Sequence, residues 1–193
     1  MTPRDTTPIQ TPCKMNIFYL SKKPSRCARW HCDKHVVKMI LETTQLLYTA
    51  HWVLATAAAT TPSFETAPFL KESTSQRGYL PIRNTRHPCA IWTRESLLHY
   101  LWLCELGMAL CEEFQHRFGH HKAHSCEEHI YWLYAHPPLQ LRCNGWTQPP
   151  KAMPDEYKRC DDSIRCYRIY YRENKGAVRN ILTYSKRHRP HWL

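Results

Sequence analysis

The chain has 193 residues, enough for one domain with a core of ordinary size, and a formal net charge of +11. Eleven Tyr and seven Trp accompany the 27 Lys and Arg, a balance that favours an anionic partner offering flat rings, nucleic acid first. No apolar run of about 18 residues is present to span a membrane, no apolar signal segment opens the chain, and the ten cysteines read as reduced thiols of an intracellular protein, cytoplasmic or nuclear.

Residues 1–14 hold three prolines and four threonines without apolar periodicity, and are expected to be a disordered extension. The folded part is expected to begin near Met15, as a single helical domain over 15–193 with a basic C-terminal tail. Asn16-Ile17-Phe18-Tyr19-Leu20 reads as a strand or as an extended arm on the core, and Lys22-Lys23-Pro24-Ser25 as a loop. A first long helix is predicted from about Ser25 to Ala59, followed by an irregular stretch over 60–86 rich in Pro, Ser and Thr. Pro88 opens a second long helix with the 3.6-residue rhythm of Ile91, Trp92, Leu98, Leu101, Cys104, Met108, Cys111 and Phe114, stopped by Gly119. Ser125 and Glu128 form a capping-box pattern for a third helix that ends before Pro137. A proline-rich loop over 147–156 leads to a last helix capped by Asp161 or Asp162 and carrying Tyr167, Tyr170 and Tyr171. The fold class is mainly α, a compact single-domain bundle with long irregular loops.

Chemistry concentrates in the first helix. His31, His35, Lys38, Glu42 and Gln45 follow at steps of four, three, four and three, so they stack on one side. Val36, Val37, Ile40, Leu41 and Leu47 are expected to be buried beside them, an arrangement that perturbs the pKa of a Glu or His. His31 and His35 have the spacing of a helical zinc pair, and His120, His121 and His124 form a second cluster. No third ligand or Cys-x2-Cys pair completes a site, so no metal and no cofactor is expected. Glu42 has two readings: an acid–base residue supported by His35 and Lys38, or the partner of Lys38 in a surface ion pair. The order Lys-then-Glu is the poorer one for such a pair.

Arg86, His87 and Arg94 surround a helix N-terminus, either as an anion site or as solvated side chains. Tyr167, Arg168, Tyr170, Tyr171 and Arg172 alternate rings with cations, which suits bases and phosphates, although the same spacing also fits the core face of a helix. With His31, Trp92 and Lys175 these residues make the expected nucleic-acid surface. The run from Lys186 to His191 is either a phosphate-contacting arm or a solvated end.

The pattern Asp33-x-His35-x6-Glu42 resembles the first helix of the phage pyrimidine-dimer DNA glycosylases of the endonuclease V type. The stretch from Glu112 to Gly119 and the pair Tyr170-Tyr171 are similar to that family's central helix end and C-terminal aromatic cluster. The resemblance implies a small, basic, all-α enzyme that displaces a base from duplex DNA and breaks its N-glycosidic bond. It further implies that Glu42 stabilises the sugar cation and moves protons, with an N-terminal α-amine as nucleophile. Leu41 and Gln45 stand where that family has arginines, and the domain start lies about 14 residues into the chain. Lys22, Lys23 and Lys38 are the other amines near this region. A glycosylase in which Glu42 activates water is compatible with the sequence. So are an enzyme acting on a free nucleotide and a helical protein that binds nucleic acid without chemistry.

Overall fold

A computed structural model describes residues 15–73, 75–119 and 123–193. The expected extension over 1–14 and the residues His120 and His121 lie outside the described residues. Among the described residues six α-helices make the fold: α1 (Pro24–Trp30), α2 (Asp33–Ala57), α3 (Pro88–Glu95), α4 (Leu97–Phe118), α5 (Glu127–Ala135) and α6 (Ser163–Tyr170). α6 runs on as a π-helix over Tyr171–Val178, and among the described residues there is no strand, only an isolated bridge between Phe69 and Arg77. α4 is central, packed against α1, α2, α3 and α5.

Both long helices of the sequence reading are broken in two. The first starts at Pro24, whose ring suits a first-turn position, and not after a Lys22–Ser25 loop. It stops at Trp30, because His31 and Cys32 adopt extended backbone before α2 begins at Asp33. Such a break strands carbonyls, and Arg117 of α4 collects them. Its Nη2 donates to Arg29 O at 2.9 Å and its Nη1 to His31 O at 2.8 Å. The second break is at Ser96, which is extended and whose hydroxyl accepts the Leu98 N–H as an N-cap. The expected cap at Ser125 does not form; α5 starts at Glu127, after Cys126, with no side-chain cap. Pro88, Gly119 (φ 61) and Asp162 take the expected terminal places.

The segment over 16–20 is an extended arm, not a strand. Ile17, Phe18, Tyr19 and Leu20 are buried in the core. Val37 and Leu41, expected inside, are instead 41% and 38% exposed, because the arm and α4 cover other faces of α2. The C-terminal segment is tied back onto the bundle. Ser185 donates to the Asp33 carboxylate from both its backbone N–H and its hydroxyl. Arg187 grips Glu113 at 2.8 Å. Among the described residues the cysteines are free thiols, Cys104 and Cys111 are buried in α4 as expected, and no helix is long and apolar enough to cross a membrane.

Candidate functional site

Glu42 lies on α2 under the extended arm, its side chain 7% exposed. Both carboxylate oxygens are held. Oε1 faces Lys38 Nζ at 2.7 Å, and Oε2 accepts the backbone N–H of Asn16 at 3.0 Å. The Lys38 side chain is 54% exposed, so one of the two partners reaches solvent while the other is fixed inside. Asn16 is fixed because its side-chain amide donates to Ala152 O at 2.9 Å and its Oδ1 accepts from the Tyr167 hydroxyl at 2.8 Å. Burial raises the Glu42 pKa above its ordinary value; the Lys38 hydrogen bond and charge, the Asn16 N–H and the Lys175 charge oppose that without cancelling it.

Phe18, two residues beyond Asn16 in the arm, gathers a cluster of rings. His35 stacks on its ring with centroids 4.3 Å apart, and Tyr167, Tyr170 and Tyr171 surround it. The buried Lys175 donates to the Tyr170 hydroxyl at 3.1 Å and lies 4.5 Å from that ring's centroid. The π-helical register brings Lys175 inward at this point. His35 bonds through Nδ1 to the Tyr171 hydroxyl. Its pKa falls to about 2, first through burial and then through the charges of His31, Lys175, Lys38 and Arg179. His35 is therefore a neutral ring that shapes the site, not a proton donor near neutrality. Cys89 lies close enough for the Glu42 charge to act on it, and its thiol is pushed up to about 12 mainly by burial.

The expected stripe of α2 thus holds from His35 through Lys38 to Glu42, and fails at His31, which sits in the break before α2. His31 is fully buried, bonds through Nδ1 to Cys27 O at 2.7 Å, and has its Nε2 without a partner. Burial lowers its pKa to about 4. No nucleic acid reaches a ring so placed. Among the described residues no three His, Cys, Asp or Glu groups gather as metal ligands.

The second expected set divides. Arg86 is exposed and Arg94 half-buried, its Nη1 donating to Thr85 O at 2.9 Å. His87 is spent as the N-cap of α3, accepting from the Cys89 N–H. Trp92 is a core residue, 3% exposed, stacked on His99 with Nε1 donating to Thr147 O. In the last helix Tyr171 is fully buried and Tyr170 nearly so, while Arg168 is half-buried over Trp30 and Trp192. The inward rings of α6 take the core reading of that spacing and are not open platforms for bases. Asn16 and Phe18 escaped the sequence reading: the apolar arm announced burial, but nothing in the spacing placed its amide on Glu42.

No family model, no curated protein and no solved structure matches this chain.

Proposed function

We propose that the protein is a DNA glycosylase-like enzyme that removes a damaged or modified base, with Glu42 as the acid–base or electrostatic residue. The observation that carries this reading is a buried carboxylate whose proton affinity is raised by burial while a half-exposed lysine holds one of its oxygens. Breaking an N-glycosidic bond sends the bonding electrons to the base and leaves a cationic sugar. An adjacent carboxylate stabilises that charge and takes a proton from the water that attacks C1′. Lys38 is placed to move aside from Oε1, whereas Asn16 is anchored. Two nitrogens touch Glu42 in this chain: the amide of Asn16, whose lone pair is delocalised and does not attack a sugar carbon, and the Lys38 ammonium, which has no lone pair to offer while it is held in the ion pair. Water as nucleophile fits this arrangement better than a Schiff base.

One observation favours the other reading, a helical protein that binds nucleic acid without chemistry: both Glu42 oxygens already have partners inside the protein. The experiment is incubation with duplexes carrying a panel of damaged and modified bases, comparing the natural chain with Glu42→Gln. The enzyme reading expects base release that falls by about a hundredfold or more in the variant. Equal release by both chains removes Glu42 from the mechanism, and no release from any duplex supports the binding reading. Borohydride added during turnover is expected to trap no protein–DNA adduct.

A further inference from the structure

The outward face of α6 and of its π-helical extension carries a feature that the Glu42 site does not use. Arg165, Arg168 and Arg172 follow at steps of three and four, with Tyr167 and Tyr170 on the opposite, buried side. The three arginines, with Asp162, Ile169 and Trp192, line a hollow of about 410 Å³. Arg172 also lines a second hollow, of about 260 Å³, together with Arg189 and Asn180. The two hollows therefore share a guanidinium and form one track of four arginines.

The groups differ in how far they are committed. Arg168 is a fixture: its Nε and Nη2 donate to Leu20 O, and its guanidinium lies 4.8 Å from the Trp30 ring centroid and 5.4 Å from that of Trp192. Arg165 and Arg172 are exposed; Arg172 lies 3.6 Å from Glu173, which is gripped more closely by Arg159 at 2.6 Å. Asp162 is the acid at the rim, and one of its oxygens is engaged in capping α6. Trp192 adds a ring to the wall of the hollow. Three guanidinium groups against one carboxylate, next to an indole ring, make a surface for phosphate beside a flat ring. Arg165 and Arg172 lie about two helical turns apart with Arg168 between them, so the guanidinium groups follow one another along the track and suit the phosphates of a strand.

We propose that this track binds the phosphodiester backbone of a nucleic acid, on the far side of α6 from Glu42, and so holds the strand outside the segment presented to the carboxylate. The proposal rests on the nucleic-acid part of the functional reading and not on its chemistry. The test is fluorescence anisotropy of a labelled, undamaged 20-base-pair duplex against salt concentration, with the full chain and with R165A/R172A. A second variant, K71A/R83A, removes the same charge elsewhere on the surface. Losing two phosphate contacts is expected to reduce the slope of log K against log salt by about 1.8, with a smaller change for K71A/R83A. A circular dichroism melt checks that both variants fold; if R165A/R172A does not, R165Q/R172Q replaces it. Equal slopes for the natural chain and R165A/R172A overturn the groove alone. Absence of duplex binding by the natural chain overturns the nucleic-acid reading with it. Inorganic phosphate at millimolar concentration is the remaining arm: full displacement of the duplex at constant ionic strength shows a small-anion site and overturns the strand proposal.

Discussion

Lowering the pH from 7 to 5 should destabilise this protein steeply, because three histidines are folded into places that hold them neutral. Burial is the first cause in each case, and it lowers His31 to about 4, His35 to about 2 and His51 to about 4 from an ordinary 6.5. Below pH 6.5 the unfolded chain takes up these protons and the folded chain does not, so stability falls as pH falls. Each group contributes at most about 1.4 kcal/mol per pH unit, and three give a limiting slope of about 4 kcal/mol per unit near pH 5. Glu42 acts in the opposite sense. Its raised pKa lets the folded state keep a proton longer than the unfolded state, which offsets up to one histidine just above pH 4.5. Glu113 and Asp33, lowered by their partners despite burial, add to the loss only as pH falls below the ordinary carboxylate range. Integrated from pH 7 to pH 5, these three histidines contribute about 6 kcal/mol, comparable with the whole stability of many domains, and His87, His99, His124 and His129, also lowered by burial, act in the same direction. Urea unfolding at pH 7, 6 and 5 measures it, with His51→Gln expected to reduce the slope near pH 5 by about 1.4 kcal/mol per pH unit. A stability that stays level between pH 7 and pH 5 would refute the buried-neutral assignment.

Two further outcomes are expected. Arg117→Met should cost about 2 to 4 kcal/mol in urea unfolding, since it leaves the buried Glu113 carboxylate to Arg187 alone and strands the Arg29 and His31 carbonyls. Adding Glu113→Gln to that variant should recover part of the loss, and strict additivity of the two changes would show that the charges are not coupled. Lys38→Met removes the hydrogen bond and the charge that oppose burial at Glu42, so the carboxyl should hold its proton to higher pH. A carboxyl-selective infrared band followed through pH titration reads this directly, and an unmoved midpoint would mean that Lys38 does not set the protonation of Glu42.

What was legible in the chain and what was not separate along the range of the interactions involved. The helical rhythm from Ile91 to Phe114, the stop at Gly119 and the Asp162 cap rest on near neighbours, and they stand in the structure. The break at His31 and Cys32 has neither proline nor glycine to announce it. It is sustained by Arg117, 86 residues further on, and no local pattern carries that information. The Ser96 break did carry a signal, a capping residue inside an apolar rhythm, but periodicity continued across it and masked it. Trp92 and Tyr171 show the same difficulty from the side of function. A ring spaced for stacking on a base is also spaced for a core, and only the finished packing separates the two.

The motif Asp33-x-His35-x6-Glu42 divides into three different jobs once the chain is folded. Asp33 is a tether: its carboxylate takes Arg117 at 3.1 Å and the Ser185 N–H at 3.0 Å, which closes the break before α2 and pins the C-terminal segment. His35 is packing with a polar edge, a neutral ring between Phe18 and the Tyr171 hydroxyl. Glu42 is buried yet has a charged partner that opens to solvent, since Lys38 is more than half exposed while Asn16 is locked by Tyr167 and Ala152. Asp33 and His35 are sufficiently accounted for by the fold; their spacing needs no reaction to explain it. A buried carboxylate on a helix, beneath an arm that its own apolar residues already hold in the core, is harder to derive from stability. Removing such a charge from water is costly, and an apolar residue at position 42 would pack against the arm without that cost. The case for chemistry in this protein therefore rests on Glu42 and not on the motif as a whole.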